Sequence, residues 1–295
     1  MTEKEMFTIV GIRPEPVISR KKKQRDQNFP WISVILLSVI VVCCLAAEMM
    51  MTKDPAYLDL SNYNVAPNRE FLFGTDTLGR DIFSGIWYGG RISIMIGFLA
   101  TVISTLIAVV YGSVSGIAPM WLDTLMMRFT EIFLSVPGLL LVLFLQAILG
   151  QANVLSLSVV IGLTSWPSIA KVVRTEVRQI RSSEYVVASK CMGGKFFHIL
   201  RKHLSPNFIA AIMFMVVMNV RGAIGSESTL SFMGMGLPLE IISWGSMLSL
   251  AERALMTESW WIIVFPGAFL VTLLMCLTNI GNYLRKNSGR KESYL

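Results

Sequence analysis

The chain has 295 residues, of which 54% are hydrophobic and 15% charged, and its formal net charge is +7. This composition is too apolar and too weakly charged for an ordinary soluble domain of this length, so that class is excluded. A basic chain can bind nucleic acid, but the positions of the basic residues decide between a nucleic-acid partner and a membrane topology.

The first thirty residues are polar and basic and show no hydrophobic period, which predicts a cytoplasmic tail. The apolar run that follows, 31–52, is long enough to cross a bilayer as a helix. A secretory signal peptide is the alternative interpretation, but the basic lead is too long and no convincing small-x-small cleavage site closes the run. We therefore predict an anchor that is retained.

An external segment is predicted for 53–92, and its charged residues Asp76, Arg80, Asp81 and Arg91 admit two interpretations. They either form a catalytic or ion-binding site, or they pair with one another in a short cap. Glycines that permit tight turns accompany these charges at Gly74, Gly79, Gly89 and Gly90. We favour the cap, because turns and paired charges account for the whole pattern.

Five further apolar runs predict membrane helices. They cover about 93–117, 129–149, 154–172, 207–226 and 260–284. A short cytoplasmic turn containing Asp123 and Arg128 is expected before the third helix, and Pro137-Gly138 is expected to kink that helix. The predicted fold class is all-α and polytopic, with six transmembrane helices.

The basic residues fall on one side of this topology. Of the 26 lysines and arginines, most lie before residue 31, at Arg128, between 171 and 202, or after residue 284. The alternate segments contain only Lys53, Arg69, Arg80, Arg91 and Arg253. The positive-inside rule then predicts that both termini are cytoplasmic, so the charge reports topology and nucleic acid is not an expected partner.

The fifth run contains Arg221 and is followed by Glu227, and both are candidate contacts with the translocation pathway or a partner subunit. A charge at membrane depth is expensive and is by default a functional candidate. Arg221 would meet a carboxylate of the substrate or of a partner subunit. The alternative, which we favour from sequence, is a side chain that snorkels near the outer end of the helix.

Residues 173–206 are predicted to form a cytoplasmic loop in which two short amphipathic segments flank Gly193-Gly194. Such a segment suits a groove on another cytoplasmic protein. It equally suits a helix that lies on anionic lipid, and the pattern alone leaves both interpretations open.

The order of residues in this loop resembles the EAA coupling loop of ABC importer permeases. Ala188, Gly193 and Pro206 match motif positions, whereas Ser189 replaces an alanine, Val187 stands where the motif has Glu, and Ser205 replaces Leu. The Glu-Tyr-Val opening, the Arg-x-His-x-x-Pro-Asn ending, the FGTDTLGRD segment and the ESTLSFMGMG segment are similar to the oligopeptide, dipeptide and nickel branch. The resemblance implies an ATPase-coupling role for Glu184, Ala188, Ser189, Gly193, Gly194, His203 and Pro206.

The resemblance implies a type I importer permease fold in a bacterial inner membrane. The expected units are a cytoplasmic tail (1–30), a first helix with an external segment (31–90), a permease domain (91–285) and a second tail (286–295). The external motif of Asp76, Gly79, Arg80, Asp81 and Arg91 would belong to the outer surface.

The implied function is that of a non-catalytic subunit forming half of a pathway for short peptides. Nickel or a metal chelate is the alternative cargo, and a passive channel or receptor subunit is a more distant alternative. The implied partners are a second, homologous permease subunit, two cytoplasmic ATPases that hold ATP and Mg, and an extracytoplasmic substrate-binding protein. No Walker motif, nucleophile elbow or cluster of metal ligands occurs in the sequence, so neither a cofactor nor a metal is expected in this chain.

Overall fold

The computed structural model describes residues 29–181 and 205–292, and no β-strand occurs within them. One short 3-10 turn, Leu60–Asn62, lies between the second and third helices. The α-helices of this part are α1 (Trp31–Leu45), α2 (Ala47–Met50), α3 (Ile82–Ile117), α4 (Met120–Ser135), α5 (Gly138–Leu149), α6 (Val154–Arg181), α7 (Ser205–Phe232), α8 (Trp244–Leu248), α9 (Ala251–Met256) and α10 (Trp261–Glu292).

Three of these helices, α3, α6 and α10, are long and apolar enough to cross a membrane by themselves. The bent pair α4–α5 would supply a fourth crossing if it is counted as one span, and α1 is a shorter apolar helix of 15 residues. The predicted all-helical fold class is therefore confirmed for residues 29–181 and 205–292. The full count of six spans and the side on which each terminus lies stay predictions.

The centre of the bundle is α3, which packs against α1, α6, α7, α8 and α10. Small residues let α3 and α6 approach closely: a Cβ added at Gly112 would lie 2.6 Å from the Ala170 carbonyl oxygen. The same addition at Gly116 would lie 2.7 Å from the Val177 side chain. Such glycines replace side-chain bulk with direct helix contact, which is how membrane helices pack in the absence of a strong hydrophobic drive.

Helix α3 begins earlier than the sequence predicted. Residues 82–92 were expected in the external segment, but they form the first three turns of α3. Asp81 caps the helix by accepting a hydrogen bond from the Ser84 amide at 3.0 Å. Ile82 and Ile86, in the first turns, are both buried. The N-cap and this buried apolar face together stabilise the earlier start of the helix.

The predicted third span is wrong in its detail. Asp123 and Arg128 were expected in a turn, but both lie within α4, and the next helix meets α4 at an angle of 89°. Val136 adopts an extended conformation immediately before Pro137, which lacks an amide proton. Proline disfavours a helical residue before it, so the expected kink becomes a complete break.

Helices occupy both ends of the predicted cytoplasmic loop 173–206. Helix α6 continues to Arg181, and α7 already begins at Ser205 with Pro206 in its first turn, where a missing amide proton is harmless. Helix α7 also continues past the expected end at 226 to Phe232. The last helix extends to Glu292, beyond the expected 284.

The bundle has two ends, which we name by their chemistry. The cap end consists of 51–81 and 233–260 and contains the start of α3, the end of α7 and the start of α10. The basic end contains the ends of α3, α6 and α10 and the starts of α4 and α7, with Arg174, Arg178 and Arg181 on α6.

Candidate functional site

The charged residues Asp76 and Arg80 of the predicted external motif pair with each other inside the cap end. Asp76 accepts hydrogen bonds from the amides of Leu78 and Arg80, and the Arg80 Nε donates to Asp76 Oδ2 at 2.8 Å. The Arg80 Nη1 also donates to the Leu239 carbonyl oxygen at 2.9 Å. Both charged side chains are only 7% exposed, so this pair fastens the segment before α3 to the segment after α7.

The turn between these charges requires glycine. Gly79 has a φ of +74°, and a Cβ at this position would lie 1.7 Å from the Asp59 carbonyl oxygen. The Ser61 hydroxyl and amide donate hydrogen bonds to the Asp59 carboxyl and lower its pKa, so this carboxylate in the neighbouring turn stays ionised. The Thr52 hydroxyl reaches the capping carboxylate of Asp81 at 3.1 Å and so ties the preceding linker to α3.

Arg91, the last residue of the predicted external motif, is separate from this buried cap. Its Nη1 lies 3.2 Å from Glu48 Oε1, and the two side chains are 42% and 78% exposed. A pair this exposed contributes little to stability.

Glu227 is completely buried inside this chain, near the cap end of α7. Four serine hydroxyls surround its carboxyl: Ser243 at 2.7 Å, Ser93 and Ser231 at 3.1 Å, and Ser228 at 3.2 Å. These hydroxyls come from α3, from α7 itself and from the N-cap of α8. We call this set the serine joint, since one carboxyl connects three elements.

The serine joint extends into the backbone of α8. The Trp244 amide donates to the Ser93 hydroxyl at 3.2 Å, and the Trp244 indole donates to the Ile86 carbonyl oxygen at 2.8 Å. Gly245 packs against the joint so closely that a Cβ would lie 2.7 Å from the Ser228 Cα. The short helix α8 is therefore fixed against α3 and α7.

A second buried carboxylate, Asp123, lies at the basic end on the first turn of α4. It accepts two hydrogen bonds from Arg174, both at 2.5 Å, one from Arg178 at 2.7 Å and one from the Ser115 hydroxyl at 2.6 Å. We call this set the arginine joint. It connects α3, α4 and α6, and Arg181 adds a hydrogen bond from the end of α6 to the Ile117 carbonyl oxygen.

The two candidate contacts on α7 have different surroundings. Glu227 is enclosed in the serine joint, whereas the Arg221 side chain is exposed and has no hydrogen bond or ion pair to any described residue. Around Arg221, added Cβ atoms at Gly222 and Gly225 would meet nothing within 4 Å. This open face of α7 comprises Arg221, Gly222, Gly225 and the exposed Thr229, and it presents a cation that has no partner among the described residues.

The coupling-loop residues other than Pro206 lie outside the described residues, so their predicted role stays a prediction. The described chain does show what flanks that segment: α6, held by the arginine joint, ends at Arg181, and α7 begins at Ser205. Within residues 29–181 and 205–292, no group of three histidines, cysteines or carboxylates is arranged to hold a metal ion.

Sequence reasoning missed both joints. Arg174 and Arg178 are four residues apart and share one helix face, which was a usable signal for a common acidic partner. The four serines around Glu227 carried no such signal, because serines are common in this chain's helices and the contacts join distant segments.

The match to a protein family covers most of the bundle. Residues 108–287 match the model of the binding-protein-dependent transport system inner membrane component. The chain belongs to this family. It is a membrane permease subunit of binding-protein-dependent transport.

Individual permeases align over most of this one. The chain is 40% identical over 259 residues to the dipeptide transport system permease protein DppC of Bacillus subtilis, covering 88% of this chain and 80% of that protein. It is 35% identical to the oligopeptide transport system permease protein OppC of the same organism, covering 88% and 85%. A putative peptide permease of Brucella suis is 34% identical, covering 85% and 83%.

A solved structure shows the same fold at a lower sequence identity. A chain of the MetNI methionine ABC transporter, in an inward-facing conformation, superposes with a TM-score of 0.56 at 17% identity. The match covers 69% of this permease and 96% of that chain. The predicted importer permease fold is thereby confirmed.

Proposed function

We propose that this permease forms half of the translocation pathway of an ATP-driven importer for short peptides. The observation that carries the proposal is the 40% identity to a dipeptide transport permease over 88% of this chain. The sequence matches to an oligopeptide and a peptide permease support the same cargo class.

The second half of the pathway is a homologous permease subunit, and the energy comes from two cytoplasmic ATPases that hold ATP and Mg. These ATPases receive the segment 182–204, which the EAA-like residues identify as the coupling loop. The basic end then faces the cytoplasm, together with both termini, in agreement with the positive-inside rule. A substrate-binding protein delivers the peptide on the opposite side, where the cap end lies.

The two joints suggest how motion at the ATPases reaches the outer surface. The arginine joint makes the end of α6 move with α3 and α4, and the glycine contacts along α3 and α6 transmit that motion as a rigid unit. At the other end, the serine joint holds α8 to α3 and α7, so the outer surface follows the helices. Rigid packed elements of this kind switch between discrete arrangements rather than deform continuously.

The test is uptake of a labelled tripeptide, compared with uptake of labelled nickel, in cells with and without this chain. We expect tripeptide uptake that requires the chain, the binding protein and ATP. Nickel uptake alone would contradict the peptide assignment, and peptide uptake that persists after ATP depletion would contradict the ATP-driven mechanism.

A control variant separates coupling from folding. Gly193→Trp changes the predicted coupling loop and leaves the described bundle untouched, so we expect normal membrane insertion with loss of uptake. Unchanged uptake by this variant would contradict the coupling role of the segment.

A further inference from the structure

Arg221 lies deep along its helix. Helix α7 has 28 residues, which makes it about 42 Å long, against a hydrocarbon core of about 30 Å. Arg221 is ~24 Å from the first residue of α7. In the membrane crossing that the sequence predicts for this helix, any placement of the core within the helix leaves Arg221 at least ~6 Å inside. The sequence-based expectation of a residue near the helix end assumed an end at 226, and the helix continues to Phe232.

An exposed arginine at this depth does not belong against lipid. Ionisable residues inside membrane spans face a water-filled cavity or another protein group, because lipid exposure of the charge is costly. The described part of this chain supplies no carboxylate to Arg221: Glu227 on the same helix is enclosed by serines, and Asp123 is held by two arginines. The partner of Arg221 therefore lies outside the described part of this chain.

The surface of α7 beside Arg221 has room for the main chain of a bound peptide to approach closely. Gly222 and Gly225 leave open space beside the guanidinium, since Cβ atoms there would meet nothing within 4 Å. Every unmodified peptide, whatever its side chains, carries one carboxylate at its C-terminus. Guanidinium and carboxylate match in charge and in planar, two-pronged hydrogen-bonding geometry.

We propose that Arg221 binds the free C-terminal carboxylate of the transported peptide, with the glycine-lined face of α7 beside it receiving the peptide main chain. The inference rests on the proposed peptide cargo and adds the residue that selects an unblocked C-terminus. Because Arg221 contacts only the C-terminal carboxylate, which all unmodified peptides have, peptides of many sequences can be transported without a side-chain pocket.

The experiment compares one labelled tripeptide with its C-terminal amide in vesicles containing the complete transport complex. Both peptides are supplied at concentrations that saturate the isolated binding protein, so that selection by that protein does not enter. Wild type is compared with Arg221→Gln, with Arg221→Lys and with Arg128→Gln. The last is a matched control, because it removes one charge from an arginine that is 76% exposed on α4.

We expect the wild-type complex to transport the free acid on the order of 10-fold faster than the amide, the size expected for hydrogen bonds between charged groups. Arg221→Gln should remove this preference by slowing the acid and sparing the amide. Arg221→Lys should restore part of it, and Arg128→Gln should behave as wild type.

Equal slowing of acid and amide by Arg221→Gln, or an unchanged preference, would overturn the inference. Loss of the second permease subunit from the purified Arg221→Gln complex would overturn it in favour of a contact between subunits. Failure of the wild-type complex to transport either peptide would contradict the proposed cargo itself, and the inference with it.

Discussion

The two buried carboxylates of this permease are held in opposite ways. Asp123 at the basic end is compensated by Arg174 and Arg178, whose side chains are 23% and 43% exposed. Glu227 at the cap end is fully buried among hydroxyls, and no cation contacts it in the described part of the chain. Both carboxylates join three elements, yet one joint is charged and reaches solvent while the other is enclosed by protein.

The difference matches what each end has to do in the proposed mechanism. An arginine–carboxylate cluster at the edge of solvent keeps its partners in register while the surroundings change, because water can screen its charges as they shift. A buried set of hydroxyl contacts tolerates little displacement, since each lost partner leaves a polar group unsatisfied. We therefore interpret the arginine joint as a connection to the segment that couples to the ATPases, and the serine joint as a rigid contact between helices.

The largest effect is expected from Glu227→Ala, which removes the shared acceptor of four hydroxyls and leaves a cavity. We expect a loss of about 3 kcal/mol or more in the stability of the folded permease. Thermal unfolding of the purified complex in detergent measures it. Glu227→Gln is the matched control, because its amide oxygen still accepts and serine hydroxyls can also accept from its NH₂ group. If Glu227→Ala unfolds at the wild-type temperature, the serine joint does not stabilise the contact between α3, α7 and α8.

A Cβ introduced at Gly245 should disturb the same joint through packing alone. Gly245→Ala would place a methyl group 2.7 Å from the Ser228 Cα, and we expect a cost of about 1–3 kcal/mol. Gly267→Ala is the control, since its nearest neighbour would be 3.9 Å away. The two unfolding temperatures should differ clearly, and identical values would argue that α8 is not fixed against α7.

The arginine joint should show a smaller loss of stability and a larger loss of coupling. Asp123→Asn keeps the Ser115 contact and leaves two arginines that water partly solvates, so we expect about 1–2 kcal/mol. We also expect ATP hydrolysis to continue with less peptide transported per ATP. The ratio of uptake to hydrolysis in vesicles measures this coupling. A wild-type ratio in Asp123→Asn would contradict a role of the joint in transmission.

The smallest effect is expected from the exposed pair that joins α2 and α3. Arg91→Gln breaks the contact with Glu48, and we expect a change within about 0.5 kcal/mol because both side chains are largely solvated. Uptake and unfolding temperature should match the wild type. A strong defect would show that Arg91 meets a partner outside this chain.

Hydropathy predicted most of the bundle because a helix that crosses a membrane must be apolar along its length, and such runs are visible in the sequence. Helix ends were less predictable, since they depend on contacts that a run does not encode. Asp81 starts α3 by capping it, and Pro137 breaks the third span because it disfavours a helical conformation at Val136. Glycine-rich turns and paired charges in the cap were visible in sequence, because their conformational demands are local.

The joints were beyond sequence reasoning for a physical reason. Asp123 meets an arginine 51 positions away, and Ser93 meets Glu227 across 134 positions. A local pattern gives the faces on which such residues lie, but the pairing of faces follows from how α3, α6 and α7 cross. Arg221 illustrates the same limit: its charge was visible, whereas its distance from the helix end required the true end of α7.

The most direct test of the account uses vesicles that contain the purified complex of this chain, its second permease subunit and the ATPases. Binding protein and labelled tripeptide are supplied on the cap side and ATP on the other. The account predicts that tripeptide accumulates against its gradient only when ATP is hydrolysed and the chain is present. Accumulation without ATP hydrolysis, or hydrolysis stimulated by nickel and not by peptide, would contradict it.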